Sequence, residues 1–239
     1  MVLYTGDIHG DVTRIVHAIQ RFALRNTDVV VILGDVGLNY YGNDHGDRQR
    51  KKKLNSKGVP ILCIHGNHEQ RPATISTYQI TEWRGGKVYV EDGLPNLLFA
   101  IDGEVYDLDG YKAIAIGGAY SVDKYYRIMR GYSWFPDEQP DEETKRSVEA
   151  KLASLDWKVD LVLSHTCPTR FVPTEAFLPG LDQSTVDHGT EDWLDTIAER
   201  LDYGHWFCGH WHIDKKLERF SFLMHTFETF NGKVAEHFG

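Results

Sequence analysis

Short apolar runs recur along the chain with helical patterns between them. VLYT, DVVVIL and VPILCI come early, and KAIAIG, VDLVLS and HWFCG come later. Runs of this length, rich in Val, Ile and Leu and bounded by glycine or polar clusters, read as strands. Between the first two, residues 11–24 carry Val12, Ile15, Val16, Ile19 and Phe22 close to a 3.6-residue period, which predicts an amphipathic crossover helix. A second helix is predicted over 141–155. Pro140 precedes it, Asp141 is a suitable N-cap, and Glu142 and Glu143 fall in the first turn, where the helix dipole favours negative charge. Over 87–117 the strand-like runs KVYV, LLFAI, EVYDL and KAIAI are separated by Asp-Gly pairs at 92, 102 and 109, which predicts successive antiparallel hairpins. The tail after Lys215 repeats that pattern, with KLERF, FLMHTF and KVAEHF as three more strands. The alternation is that of an α/β protein, with a mixed sheet or two packed sheets and helices outside.

Composition narrows this picture. At 239 residues, with 41% hydrophobic and 26% charged positions, the chain has the profile of one soluble globular domain spanning 1–239, and no repeat or linker divides it. The start MVLYTGDIHGD lacks a basic region followed by a long apolar segment, and no run approaches membrane-spanning length, so a cytoplasmic protein with no membrane partner is expected. Cys63, Cys167 and Cys208 are an odd set without CxxC spacing, which argues against a disulfide framework or a zinc knuckle. A formal charge of -9 disfavours stable nucleic-acid binding while leaving a nucleotide substrate open. The one dense basic patch, Arg48, Arg50, Lys51, Lys52 and Lys53, reads as the solvated face of a helix.

The chemistry lies at the ends of the apolar runs. VLYT leads to Gly6-Asp7-Ile8-His9-Gly10, VVVIL to Gly34-Asp35, and PILCI to His65-Gly66-Asn67-His68-Glu69. DLVL leads to Ser164-His165, and HWF to Cys208-Gly209-His210-Trp211-His212. Ligands of α/β sheets bind beyond the carboxyl ends of the strands, so five exits can deliver these side chains to one place. Any single Asp or Asn there is as readily a turn residue. Five exits that all carry an acid, an amide or an imidazole are not explained that way. Carboxylates with neutral imidazoles suit Mn, Fe, Co, Ni or Zn better than Mg or Ca. Such a set exceeds the needs of one tetrahedral ion and suits two adjacent ions sharing a carboxylate.

These five blocks, in this order, resemble the calcineurin-like metallophosphoesterase superfamily, with Asp-x-His, Gly-Asp, Gly-Asn-His-Asp/Glu, a lone His and Gly-His-x-His spread from Asp7 to His212. The resemblance implies a four-layer αββα sandwich, two mixed β-sheets flanked by helices, with a dimetal site at the strand ends; some schemes class it as α+β. It implies that Asp7, His9 and His212 hold one divalent ion, that Asn67, His165 and His210 hold the other, and that Asp35 bridges them, with manganese first among the candidates and Fe, Zn, Ni or Co open. It also implies hydrolysis of phosphoric esters, either diesters or monoesters and including nucleotide-like ones. A metal-bridging water or hydroxide would attack phosphorus, with His68 assisting the leaving group. The Gly6-Asp7-Ile8-His9-Gly10 block and Glu69 also look like the protein serine/threonine phosphatase branch. That branch continues Gly-Asp with Asp-Arg-Gly, however, whereas here Val36-Gly37-Leu38 comes next, so its phosphate-binding arginine is missing. The missing arginine tilts the reading toward diesters or nucleotides. The alternative is a catalytically silent scaffold of the same fold that binds a protein partner.

The segment Gly117-Gly118-Ala119-Tyr120-Ser121-Val122-Asp123-Lys124, with Arg127 and Tyr132-Ser133-Trp134-Phe135-Pro136, resembles bacterial and phage members of the superfamily. Lys124 and Arg127 could neutralise a nonbridging phosphate oxygen of a small phosphate-ester substrate bound with Asn67; the alternative is a surface pair at a helix start. Arg71 is a further candidate. Tyr40, Tyr41, Tyr125, Tyr126 and Trp134 could stack a base or an aryl group, although aromatics in loops more often pack those loops down. Cys167 and Cys208 read as buried fillers, and His17, His45, His65, His188, His205, His225 and His237 as structural or exposed.

Overall fold

The computed structural model describes residues 1–42, 45–180, 182–231 and 235–237. In chain order β1 (Val2–Thr5), α1 (Val12–Arg21), β2 (Val29–Ile32), α2 (His45–Asn55) and β3 (Ile61–Cys63) alternate, and β4 (Tyr78–Trp83), β5 (Gly86–Glu91) and β6 (Leu97–Ala100) come after them. The chain then runs through β7 (Val105–Leu108), β8 (Tyr111–Ile116), α3 (Lys124–Arg130), α4 (Glu142–Ser154), β9 (Lys158–Ser164), α5 (Gly189–Arg200) and β10 (Asp202–Cys208). It ends with β11 (Lys215–Leu217), β12 (Phe220–Phe222), β13 (Thr226–Glu228) and β14 (Ala235–His237).

These strands form two mixed sheets of order β14-β13-β1-β2-β3-β6-β5-β4 and β11-β12-β10-β9-β8-β7. Each has a parallel centre, β1-β2-β3-β6 in the first and β8-β9-β10-β12 in the second. Their inner faces share a core in which Val31 and Leu33 meet Leu161 and Leu163, and Tyr4 stacks on Phe207 with ring centroids 4.4 Å apart. On the outer faces, Ile15 and Ile19 of α1 pack with Leu3 and Ile32, while Val148 and Leu152 of α4 and Trp193 and Ile197 of α5 pack with Ile116 and Trp206. The result is the expected α/β/β/α sandwich. No helix among the described residues is long and apolar enough to cross a membrane.

Asp141 caps α4 by accepting from Thr144 N, as residue type and position predict, and Asp11 caps α1 by accepting from Thr13 N. Four expectations need correction. The first helix stops at Arg21 rather than 24, because the chain turns left-handed at Ala23 with φ +50°. Asp92-Gly93 and Asp109-Gly110 do join antiparallel pairs, but Asp102-Gly103 does not close a hairpin: there the chain leaves the first sheet, and β7 begins the second. The tail likewise changes sheet, with β11-β12 in the second and β13-β14 in the first, and the expected strands KLERF and FLMHTF each straddle a turn between two shorter strands. Of the strand expected at 233–238, residues 235–237 are described; Lys233, Val234 and Phe238 lie outside the described residues, as does the side chain of His237. The basic patch on α2 is not wholly solvated, because Lys51 is fully buried and paired with Glu91.

Candidate metal centre

The loops after β1, β2, β3, β9 and β10 converge from both sheets. Backbone bonds from His9 N to Asp35 O (2.8 Å) and from Gly10 N to Val36 O (2.9 Å) fasten the first two loops together. Glu69 fastens the third, accepting from Val36 N, Gly37 N and Gly66 N. Its carboxyl is pushed up to about 8 by burial and then by the nearby Asp35. The glycines here are required chiefly by close approach. A Cβ on Gly34, which has φ +91°, would lie 2.0 Å from His165 Nδ1, and one on Gly209 would lie 2.2 Å from Asp7 Oδ1. His9, Asp35, His210 and His212 themselves have positive φ, four of nine such non-glycine residues among those described. Backbone strain of this kind concentrates where a site dictates the conformation.

Two groups of donors flank Asp35. In the first, His212 Nε2 lies 3.2 Å from Asp7 Oδ2 and 3.0 Å from His9 Nε2. In the second, Asn67 Oδ1 lies 2.8 Å from His165 Nε2 and 3.1 Å from His210 Nδ1. Asp35 stands between them, with Oδ2 3.8 Å from His9 Nδ1 and Oδ1 3.6 Å from His165 Nε2. Asp7, Asp35, Asn67 and His165 are buried, whereas His9 and His212 open to solvent. Burial works against charge on Asp7 and Asp35, but the imidazoles outweigh it, His212 and His165 for Asp7, His165 and His68 for Asp35. Both carboxyls are held below the ordinary value. Burial lowers His210 well below the usual imidazole value.

The donor set fits cations. His165 Nδ1 faces the Leu33 carbonyl at 2.8 Å and so carries the proton in the neutral ring. Its Nε2 lone pair then points at Asn67 Oδ1, itself an acceptor. The Asn67 orientation is fixed because Nδ2 donates to Ser121 Oγ at 2.9 Å, while the Ser121 hydroxyl is engaged with Glu138. Two acceptors face to face are reconciled by a cation between them, a metal ion or a proton on Nε2. Asp7 Oδ2 is likewise buried without a well-formed hydrogen bond, although Oδ1 accepts from His210 N at 2.9 Å.

His68 lies beside this cluster. Its backbone N–H donates to Asp35 Oδ1 at 2.9 Å, and its Nε2 is 4.0 Å from Asp35 Oδ2. The half-buried ring borders two clefts. One, of about 240 Å³, has an apolar wall of Phe177, Leu178, Val186 and Trp211. The other, of about 260 Å³, is lined by His9, Tyr40, Tyr41, Arg50 and Arg127. Arg127 is fixed by Asp123 (2.8 Å) and by the Tyr40 hydroxyl (3.1 Å). Lys124, expected beside it, lines neither cleft; its Nζ lies 4.1 Å from the centre of the Trp134 ring. Arg71 is structural, bonded to Asp137 O and Asp102. Of the aromatics expected in loops, Trp134 donates to Glu138 and Tyr41 stays exposed, while Tyr125 and Tyr126 fall in α3 and are exposed there, contrary to the packing expectation. All three cysteines are buried and free.

Arg50 and the chain from Trp134 through Glu138 and Ser121 to Asn67 are the site features that the sequence did not single out. The Gly117–Pro136 segment was conspicuous, but the polar residue that matters in it meets a partner 54 positions away.

A sandwich of two parallel-centred sheets whose strand ends bring carboxylates, imidazoles and an amide together defines an α/β protein with a candidate metal centre. The chain belongs to the calcineurin-like phosphoesterase family, whose model matches residues 1–214. Membership places it among hydrolases of phosphoester bonds that bind divalent metals. The crystal structure of TT1561 of Thermus thermophilus superposes with a TM-score of 0.57 at 12% identity, covering 100% of this chain and 97% of that one. A second solved structure gives 0.58 at 14% identity, covering 100% and 98%. Both likenesses are of fold. The calcineurin-like phosphoesterase YfkN from Bacillus subtilis, at TM-score 0.38 and 14% identity over 95% of this chain and 82% of that one, is too distant to carry an argument. No curated protein matches the chain.

Proposed function

We propose that the chain is a dinuclear hydrolase of small phosphoric esters, in which Asp7, His9 and His212 hold one divalent ion, Asn67, His165 and His210 hold the other, and Asp35 bridges them. The observation that carries this reading is Asp35, whose two oxygens face His165 on one side and His9 on the other, with a trio of donors on each side. Mixed nitrogen and oxygen donors suit first-row ions, and manganese is the first to test.

The ions, when bound, supply Lewis-acid charge to the phosphoryl oxygens and lower the pKa of the attacking water. Water oxygen bonds to phosphorus, the bond from phosphorus to the ester oxygen breaks, and His68 Nε2 delivers a proton to the departing oxygen. The proton lost by water balances the one His68 gives. Arg127 lines the cleft beside His9 and His68 and supplies the guanidinium that the loop after Asp35 lacks, holding a nonbridging oxygen. Lys124 Nζ lies over the Trp134 ring, so Arg127 is the better placed of the two for this contact.

The test uses protein supplied with Mn and two chromogenic esters, nitrophenyl phosphate and bis(nitrophenyl) phosphate. Hydrolysis is expected, with His68→Ala slower by roughly 10²–10⁴-fold while retaining its metal. Wild type and variant equally inert across a broad ester panel would favour the scaffold alternative instead.

A further inference from the structure

We propose that the substrate is an asymmetric phosphodiester of a short nucleotide chain, with a neutral nucleoside on the apolar side of His68 and a nucleotide bearing a second phosphate on the Arg50 side. This rests on the hydrolase reading above and goes beyond it in assigning a distinct subsite to each ester substituent.

A phosphomonoester has one organic substituent and needs one cleft. Here two clefts meet at His68. At about 240 and 260 Å³, neither reaches the roughly 300–1,000 Å³ usual for small-molecule sites, whereas the two together do. Their chemistry differs. The first sets Phe177, Val186 and Trp211 beside the candidate ligands Asn67, His210 and His212, an apolar wall that accepts a flat neutral ring next to the scissile group. The second presents two guanidiniums. Arg127 arrives from α3, and Arg50 from α2 lies against Gly10, where a Cβ would come within 3.2 Å of its Nε. Arg50 is bound to Asp47 only weakly, through Nη1 at 3.5 Å, and lines the same cleft as Tyr40 and Tyr41. With Arg127 on the scissile phosphoryl group, Arg50 is the cation left for a neighbouring phosphate, and the tyrosines offer faces to the attached base.

The experiment compares the dinucleotide TpT with its 5′-phosphorylated form pTpT, using the manganese-loaded full chain. The expected result is a kcat/KM for pTpT about 10–100-fold above that for TpT, as fits one added charge-assisted contact, and loss of that preference in Arg50→Ala. Equal rates on both, a preference that survives Arg50→Ala, or faster cleavage of nitrophenyl phosphate than of bis(nitrophenyl) phosphate would overturn the proposal. Calorimetric binding of both dinucleotides to His68→Ala keeps the two readings apart. Preferential binding of pTpT by a protein whose wild type hydrolyses nothing leaves the subsite standing and removes the hydrolase reading. Indifferent binding alongside intact wild-type turnover does the reverse.

Discussion

Asn67 and Ser121 share a hydrogen bond of 2.9 Å that decides which end of the Asn67 amide faces His165 and His210. Ser121 is held in turn by Glu138, whose oxygens accept from Ser121 N at 3.2 Å and Trp134 Nε1 at 2.8 Å. Outer partners of this kind commonly tune metal affinity by about 10–100-fold. Ser121→Ala should therefore weaken the ion at Asn67, His165 and His210 by that factor and spare the ion at Asp7, His9 and His212. Stepwise calorimetric titration with Mn reads the two separately, and an equal loss at both would show that Ser121 supports the fold rather than the amide.

Glu69 accepts three backbone N–H bonds that tie the loop after β3 to the loop after β2. Glu69→Ala leaves those buried donors without a partner and should cost about 2–4 kcal/mol in urea unfolding of the metal-free protein. Glu69→Gln, which keeps one carbonyl acceptor, should lose less.

Lys51 and Glu91 form a buried pair, with the Lys51 nitrogen also 5.0 Å from the Tyr78 ring centre. Removing one partner strands a charge, so Lys51→Met or Glu91→Leu alone should destabilise by about 3–5 kcal/mol. The double variant should recover most of that loss, and urea denaturation of all four proteins in a double-mutant cycle checks it. Additive losses would contradict the pairing.

His205, facing Ser221 in the second sheet, is lowered to about 4 by burial and then by Lys216 and Arg219. The folded state therefore keeps this ring neutral where the unfolded chain, with an ordinary value near 6.5, would protonate it. Its contribution is complete above about pH 6.5 and is lost as pH falls toward 4. The loss amounts to about 2 kcal/mol after discounting for solvent screening. His205→Gln should flatten that part of a stability-versus-pH curve, measured by thermal melting in matched buffers.

The strand exits were legible because each is a local signal, an apolar run closed by an acid, an amide or an imidazole, with a glycine beside it at four of the five. The same locality marked the Asp141 cap. The features that escaped depend on partners distant in sequence. Nothing near Asp102-Gly103 distinguishes it from the turns at 92 and 109; it ceases to be a hairpin because Asp102 binds Gly117 N and Arg71. β4 was missed because YQITEW at the sheet edge is mostly exposed and lacks alternation. Lys51 looked like one more surface cation until Glu91, 40 residues on, gave it a buried partner. Arg50, one position before it, turns instead toward the His9 loop.

Metal-dependent ester hydrolysis at the Asp35 bridge is tested most directly by measuring bis(nitrophenyl) phosphate turnover as Mn is returned to chelator-stripped protein while bound metal is counted. A dinuclear centre predicts no turnover in the stripped protein and a rise that reaches its maximum at two ions per chain. Full activity in the stripped protein, or a maximum at one ion, would contradict it.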